Sequence, residues 1–444
     1  MYKYFLPLLL VICTATQLRA QFTVSDNKRF ILKDGQPFFW LGDTAWELFH
    51  RLNREDADKY LKRRSEQGFT VIQAVALAEF NGLNEPNAYG QTPLIDNDPS
   101  KPNEKYFEHV DYIINKAGEY HLNIGLLPTW GDKVNQDRWG IGPEIFNEKN
   151  AAVYAGWLAT RYKNKTNIIW ILGGDRKPRG EADLKVWRAM ANAIEKAIGK
   201  KALITFHTQP NELGSAEWFA KDEWFDFDMF QTGHCRDNDV YNKIQAAYHL
   251  QPVKPVIDGE PIYEDHPVCF NAKDLGTSSA YDVRKSAYLD LFAGAFGHTY
   301  GCHDIWQMYS PEREPVNGAH YFWYDAMELP GANQMTHVKK LMTAFDILSR
   351  IPDQSLIKEN NNVAAERIQA TRGDGYALIY TAAGRPVTVL PGKLKGSNFN
   401  CSWFDPRTGK STDAGSFDNV SEHQFKPPSA GYGKDWVLVL KSAG

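Results

Sequence analysis

The segment "NIIWILGGD" (residues 167–175) is an apolar run that ends in two glycines and one aspartate. It belongs to a series of eight short apolar runs separated by longer amphipathic stretches. The other seven are "FFWLGDTAW" (38–46), "FTVIQAVAL" (69–77), "NIGLLPTW" (123–130), "ALITFHTQP" (202–210), "FDMFQTGH" (227–234), "KPVIDGEP" (254–261) and "AFGHTYGCHDIW" (295–306). Runs that are apolar throughout are typical of strands buried on both faces of a parallel sheet.

The stretches between the runs carry helix signals. Asn53 followed by Asp56 resembles a capping box, and Gly68 predicts the end of that helix. Residues 104–121 and 181–199 place apolar side chains at steps of three and four. Eight strands alternating with helices predict an α/β fold, a (β/α)8 TIM barrel. The alternative, an open doubly wound sheet, would place a glycine-rich phosphate turn after the first strand, and "GDTAWELFH" (42–50) is not one.

The two ends of the chain differ from the barrel. Residues 1–20 combine a basic Lys3, an apolar stretch and a small Ala20, which is typical of a secretory signal peptide. Residues 21–354 are then the barrel domain with a short N-terminal β segment that turns at Asp34-Gly35. Residues 355–444 form short alternating strands without helices and predict an antiparallel β-sandwich. A helix over residues 331–351 is expected to join the two domains.

The signal peptide predicts export across the inner membrane, with a periplasmic location if the host is Gram-negative. Ile12 is a poor residue before a lipidated cysteine, which argues against a lipid anchor at Cys13. No later stretch is apolar enough to span a membrane. Four cysteines follow the signal peptide, at positions 235, 269, 302 and 401, and their spacings match no zinc pattern. One pair could bridge in an oxidising compartment, but the spacing does not tell which.

The composition narrows the range of partners. A net charge of −4 without a basic stripe argues against nucleic acid. The 13 Trp and 21 Tyr suit the flat faces of sugar rings, although large barrels also use such residues in their cores.

The active site of a barrel lies at the C-terminal ends of its strands. Polar and aromatic residues occupy these positions in every run. As substrate-binding candidates we select Asp43, Trp46, Glu79, Trp130, His207, His234, His298 and Trp306. The fourth and seventh runs end in the carboxylates Asp175 and Glu260.

Carboxylates on facing strands indicate glycoside hydrolysis, in which one protonates the leaving oxygen and the other attacks the anomeric carbon or activates water. Strands four and seven lie across the barrel mouth, which would allow the separation of about 5–5.5 Å found in retaining enzymes. We therefore predict that Asp175 and Glu260 are the catalytic pair, with no metal or cofactor. Asp175 could instead cap a helix or form a salt bridge, and its neighbours Arg176 and Lys177 could lower its pKa.

Longer motifs resemble a known family. "FFWLGDTAWELFHRLNREDADKYLKRRSEQGFTVIQ" (38–73), "WILGGDRKP" (170–178), "PVIDGEPIYE" (255–264) and "GHTYGCHDIWQM" (297–308) are similar to the apiosidase-like glycoside hydrolases, family 140 and relatives. Residues 355–444, including "WFDPRTGK" (403–410), resemble the C-terminal β-domain of that family, which carries a collagen-binding label. The resemblance implies the same two residues and gives their roles, with Asp175 in "GGD" as the acid/base and Glu260 in "DGEP" as the nucleophile. It also implies hydrolysis of the apiose–galacturonate linkage of rhamnogalacturonan II, a plant pectin.

Two further hypotheses concern specificity. Gly174 stands where related barrel glycosidases carry asparagine, and we expect it to leave room for a branched or furanose sugar. Lys177 and Arg179 are expected to receive the uronic-acid backbone of an acidic pectic glycan.

Two other functions remain open at this point. A metal-dependent hydrolase could draw on His234, Cys235, His298, Cys302 and His303, although the first strand lacks the His-x-His expected of such barrels. A non-catalytic carbohydrate- or matrix-binding protein would not need both carboxylates.

Overall fold

The computed structural model describes residues 22–137, 139–199, 202–359 and 363–443. The predicted signal peptide, residues 1–20, lies outside this part. The strands are β1 (Phe22–Val24), β2 (Ile31–Lys33), β3 (Gln36–Phe38), β4 (Leu41–Thr44), β5 (Val71–Val75), β6 (Asn123–Leu127), β7 (Ile168–Gly173), β8 (Ile204–His207), β9 (Asp228–Phe230), β10 (Val256–Asp258), β11 (His298–Tyr300), β12 (Ile351–Pro352), β13 (Ile368–Gly373), β14 (Tyr376–Thr381), β15 (Val387–Val389), β16 (Phe399–Phe404), β17 (Ser411–Phe417), β18 (His423–Phe425) and β19 (Trp436–Ser442).

The α-helices lie between and after strands β4 to β11. They are α1 (Leu48–Arg51), α2 (Arg54–Glu66), α3 (Glu104–Glu119), α4 (Glu148–Tyr162), α5 (Glu181–Ile198), α6 (Ala216–Phe219), α7 (Val240–Tyr248), α8 (Ala272–Leu275), α9 (Ala280–Ala293), α10 (His303–Trp306), α11 (Trp323–Ala326) and α12 (Pro330–Thr343).

Strands β4 to β11 form the predicted barrel. Six of them pair in parallel in the order β11-β4-β5-β6-β7-β8, and β9 pairs in parallel with β10. Single backbone hydrogen bonds continue the wall at the two remaining seams, from Asp226 N–H to Ile204 O (3.0 Å) and from Phe296 N–H to Val256 O (2.9 Å). All eight predicted strands therefore exist, each shorter than its apolar run. The remainder of each run lies in the residues that directly precede or follow the strand.

The helix signals in the sequence are confirmed. The Asn53 side chain accepts a hydrogen bond from the Asp56 N–H and caps α2, and Gly68 follows its end with φ +82°. Helices α3 and α5 lie inside the two periodic stretches and turn their apolar faces toward the barrel. The predicted joining helix is too long, because α12 ends at Thr343. The Asp346 side chain then accepts from the Leu348 N–H and starts a separate 3-10 turn.

The C-terminal part is the predicted antiparallel β-domain. Its main sheet has the order β12-β13-β14-β19-β16-β17, and the ribbon β15-β18 packs over it around a second apolar core. Against the barrel, Arg284 of α9 forms a buried ion pair with Asp435 (2.6 Å), and Tyr288 stacks on Tyr380. Helix α9 is buried almost along its whole length because it lies between the two domains. Among the described residues, no helix is both long and apolar enough to cross a membrane.

Candidate active site

Strand β7 delivers Asp175 to the barrel mouth through an unusual turn. Gly173, Gly174 and Asp175 all have left-handed φ values, of +83°, +124° and +49°. A Cβ at position 173 would lie 2.1 Å from the His207 carbonyl oxygen, so only glycine fits there. For Asp175 the left-handed conformation costs on the order of 1 kcal/mol. Such strain is stored where the surrounding structure holds a functional side chain in place.

The space beside Gly174 is not free, contrary to the expectation of room for a branched sugar. A Cβ there would lie 2.7 Å from Cε3 of Trp130 and 2.9 Å from the Gly131 nitrogen. The glycine is therefore required by close packing against the Trp130 indole, and the hypothesis that it opens the sugar site is wrong.

Strand β10 delivers Glu260. Its backbone N–H donates to Oδ1 of Asp258 at 3.2 Å, which fixes the chain just after the strand. The side chain is 7% exposed and lies between two histidines. Nε2 of His207 lies 3.0 Å from Oε2 of Glu260, and Nε2 of His234 lies 3.4 Å from Oε1. The His207 contact is at ion-pair distance but lacks the alignment of a hydrogen bond.

His207 touches both carboxylate residues. Its Nδ1 accepts the backbone N–H of Asp175 at 3.2 Å. A neutral imidazole that accepts at Nδ1 carries its proton on Nε2, which faces Glu260. One ring thus couples the end of β7 to the end of β10.

The electrostatics separate the two carboxyl groups. Burial, and then the charge of Glu260, raise the pKa of Asp175 to about 6, although Arg176, His207 and the Trp139 indole act against this. Burial would also raise the pKa of Glu260, but the contacts with His207 and His234 outweigh it and hold that pKa well below its usual range. Asp175 can therefore carry a proton at a pH where Glu260 is a carboxylate. An acid/base and a nucleophile require this difference, in which one carboxyl group is protonated while the other is ionised.

Aromatic and acidic side chains complete the site. Trp46 is buried, packs on Trp130 (5.1 Å between ring centroids) and donates its indole N–H to the Tyr263 hydroxyl at 3.2 Å. Burial, and then the charge of Glu260, raise the pKa of the Tyr263 phenol, which stays neutral.

Burial, and then the charge of Asp175, raise the pKa of Glu79 well above its usual value. Glu79 therefore ionises less readily than an ordinary glutamate, partly because of the charge of Asp175.

The structure gathers most of the predicted residues and relocates three. The residues that lie with Asp175 and Glu260 are Trp46, Glu79, Trp130, His207 and His234. Trp306 lies at the rim and packs against Phe80 in a tilted arrangement.

Asp43 and His298 are wrong as substrate contacts. Asp43 is fully buried and pairs with Arg64 (2.5 Å) and Tyr60 of α2, because its side chain faces the helix layer. His298 begins β11, at the opposite end of the strand from the mouth, and pairs with Asp290 of α9 at 2.8 Å.

Arg179 is committed to protein contacts. It pairs with Asp183 at 2.9 Å and with Glu144 at 2.7 Å, and it donates to the Val134 carbonyl. Lys177 has an exposed side chain, and its backbone carbonyl is held by Asn135. Arg179 is half-exposed but ion-paired with two carboxylates, whereas the exposed Lys177 side chain has no ion pair among the described residues.

Sequence reasoning missed Trp139 and Tyr263. The Trp139 indole donates to Oδ2 of Asp175 at 2.8 Å. It lies in the irregular loop between β6 and α4, where no periodicity indicates which side chain turns inward. Tyr263 had a usable signal, because it follows Glu260 by three residues within "PVIDGEPIYE".

The proposed histidine and cysteine cluster does not form. Cys235 is joined to Cys269 in a disulfide, and Cys302 is a buried free thiol. Across the part of the chain that the structure describes, no group of three or more His, Cys, Asp or Glu side chains is arranged to hold a metal ion.

An eight-stranded barrel that places at its mouth an aspartate with a raised pKa and a glutamate with a lowered pKa fits the class of glycoside hydrolases. A family model described as "Apiosidase-like, catalytic domain" matches residues 25–349. The chain belongs to the apiosidase-like glycoside hydrolase family, which confirms the resemblance of its motifs. A second model, described as "Putative collagen-binding domain of a collagenase", matches residues 351–441.

Solved structures agree with this family. One described as a glycoside hydrolase is 37% identical, with a TM-score of 0.87, over 96% of this chain and 97% of the other. A glycoside hydrolase family 5 structure from Bacteroides vulgatus is 38% identical, with a TM-score of 0.88, over 95% of this chain and 94% of the other. A comparison with curated protein sequences finds no match.

Proposed function

We propose that the protein is an exported retaining glycosidase that removes apiose from galacturonate in rhamnogalacturonan II. The observation that carries the proposal is the shared histidine. His207 contacts Asp175 through Nδ1 and Glu260 through Nε2, and the two carboxyl groups have pKa values displaced in opposite directions. A general acid and a nucleophile need this difference in protonation.

The reaction follows from these two states. Glu260 Oε attacks the anomeric carbon while the Asp175 proton passes to the glycosidic oxygen, and the C–O bond breaks with its electron pair on that oxygen. Asp175, now ionised, takes a proton from water. The resulting hydroxide equivalent attacks the anomeric carbon and releases Glu260 as a carboxylate. Two displacements at one carbon retain the anomeric configuration.

The proposed substrate is supported by the family match and by the exposed charge of Lys177. The apiosidase-like description of residues 25–349 supports apiose as the released sugar. Lys177 lies two residues after the acid with its side chain in solvent, which suits a uronic-acid carboxylate on the leaving side. Export is supported by the pattern of residues 1–20 alone.

A panel of pectic oligosaccharides tests the proposal. The protein is incubated with each, and NMR identifies the released sugar and its first-formed anomer. We expect free apiose with the anomeric configuration of the substrate, and no release by Glu260→Ala. Release of a sugar other than apiose would overturn the proposed substrate. A first-formed anomer with the inverted configuration would overturn the retaining mechanism.

Lys177 provides a second test of the acidic substrate. Lys177→Gln is expected to raise KM for the uronate-containing oligosaccharide several-fold with little change in kcat. A neutral analogue, with the carboxyl group reduced to an alcohol, should show no such difference. An equal effect on both substrates would contradict recognition of a carboxylate.

A further inference from the structure

Trp139 contacts the acid directly and is also open to substrate. Its indole Nε1 donates to Oδ2 of Asp175 at 2.8 Å, while 49% of the residue is exposed. An indole at a pocket mouth offers a flat apolar face and a polar edge, which suits contact with a sugar ring.

The ring is supported from one side. The guanidinium of Arg176 lies 4.9 Å from the centroid of the Trp139 ring and is itself 1% exposed. Backbone carbonyls hold it there: Arg176 Nε donates to Asn135 O at 3.1 Å, and Nη1 donates to Asp175 O at 2.7 Å. Because one face of the indole covers this fixed cation, its exposed part is the other face and the ring edge.

We propose that Trp139 has two roles in the reaction: its open face stacks on the pyranose ring of the leaving sugar, and its N–H orients the proton of Asp175. This inference rests on the proposed function. In the proposed reaction, Glu260 faces the anomeric carbon of the sugar that becomes attached to it, whereas Asp175 faces the glycosidic oxygen, which leaves with the other sugar. The Trp139 ring is hydrogen-bonded to Asp175 and therefore lies beside the leaving sugar.

The orienting role follows from the chemistry of a carboxyl group. An N–H donor bonds the carbonyl oxygen of a protonated carboxyl, since the hydroxyl oxygen is the poorer acceptor. With Oδ2 occupied by the indole, the proton resides on Oδ1, from which it passes to the glycosidic oxygen as the C–O bond breaks. The same N–H then stabilises the carboxylate that remains. Trp139 is thus a stacking contact for the leaving sugar and a positioning residue for the acid.

The test compares Trp139→Phe, which keeps a ring without the N–H, with Trp139→Ala, which removes both. Ile141→Ala is the matched control, because Ile141 is a similarly exposed apolar residue (48%) in the same loop. Each variant is assayed with the oligosaccharide that the wild type cleaves and with the glycosyl fluoride of the released sugar. The fluoride has no leaving ring and needs little proton donation.

With the oligosaccharide, Trp139→Ala should raise KM about 3- to 10-fold, as expected for a lost aromatic contact. Trp139→Phe should keep KM near the wild-type value but move the basic limb of the kcat/KM profile upward by about 0.5–1 pH unit, because the ionised acid loses a donor. For the glycosyl fluoride, kcat/KM reports only the first displacement, so both variants should differ from wild type less with the fluoride than with the oligosaccharide. Ile141→Ala should behave as wild type throughout.

An unchanged KM in Trp139→Ala overturns the stacking role, and a superimposable pH profile in Trp139→Phe overturns the orienting role. Thermal unfolding of each variant checks that the fold is intact. If the wild type cleaves no oligosaccharide, or if Glu260→Ala is as active as wild type, the proposed function fails and this inference falls with it.

Discussion

The backbone N–H of Asp175 donates to Nδ1 of His207 at 3.2 Å, so Asp175 and the ring that faces Glu260 are fixed to each other. This bond depends on the left-handed turn at the end of β7, which directs the Asp175 N–H toward β8. The position of Asp175 and the tautomer of His207 are consequently set by one contact.

His207→Ala removes the acceptor for the Asp175 N–H and the ring N–H that faces Glu260 together. We expect kcat/KM to fall by about 10- to 100-fold, the range for a buried polar group left without its partner. The acidic limb of the pH profile should also move upward, because Glu260 loses a group that lowers its pKa. His249→Gln, on the exposed end of α7, is the control. An unshifted acidic limb would contradict this role for His207.

The pH dependence of activity follows from the two carboxyl groups. Asp175 must be protonated, and its pKa is raised to about 6, so kcat/KM should fall about tenfold per pH unit above pH 6. Glu260 must be ionised, and its lowered pKa keeps it so throughout the mildly acidic range. The expected profile is a plateau below pH 6. A profile that rises between pH 6 and 8 would contradict the assignment.

Asp175→Asn should stabilise the fold at neutral pH. The Asp175 pKa is raised in the folded state, so stability is lost as the pH rises from about 4 to about 6, where the unfolded carboxyl ionises and the native one keeps its proton. Removing that group should increase the free energy of unfolding by about 3 kcal/mol at pH 7 and by little at pH 4. Urea denaturation at both pH values measures this. Asp96→Asn, at an 81% exposed side chain, should show no such pH-dependent gain.

The eight strands could be predicted because each is an apolar run with turn residues after it, and a parallel barrel requires this. Asp175 and Glu260 could be predicted because they stand at strand ends, where topology alone brings them together. Asp43 and His298 could not be placed in this way. The face to which Asp43 turns and the end of β11 at which His298 lies depend on exact strand boundaries, which apolar runs do not show.

Trp139 was beyond prediction for a different reason. Its position depends on a loop packed against Arg176, and that arginine reads in sequence as one of several exposed positive charges. Arg179 shows the same limit, because its partners Glu144 and Asp183 come from two different segments.

Gly174→Ala should damage the site by displacing Trp130. The added Cβ would lie 2.7 Å from the indole, and φ +124° disfavours any side chain. We expect a loss of about 1–3 kcal/mol in the free energy of unfolding together with reduced kcat. The matched control is Gly180→Ala, where a Cβ meets nothing within 4 Å. Normal kcat in Gly174→Ala would show that Trp130 can move without consequence.

The Cys235–Cys269 disulfide should support His234. Cys235 is adjacent to His234, and the Cys269 N–H donates to the His234 carbonyl at 2.9 Å. For a separation of 34 residues, loop-closure entropy gives about 3–4 kcal/mol of stabilisation. We expect a reductant to lower the Tm and kcat of the wild type to the values of the Cys235→Ser/Cys269→Ser double variant. A double variant that equals the oxidised wild type in both would contradict the prediction.

The central claim is that Glu260 is the nucleophile and Asp175 the acid/base, and azide rescue tests it most directly. Each alanine variant is given an activated aryl glycoside of the released sugar with azide, and the glycosyl azide formed is analysed by NMR. Asp175→Ala should yield the azide of retained configuration, because azide attacks the intermediate on Glu260. Glu260→Ala should yield the inverted azide. Retained product from Glu260→Ala, or near-normal hydrolysis by it, would contradict the account.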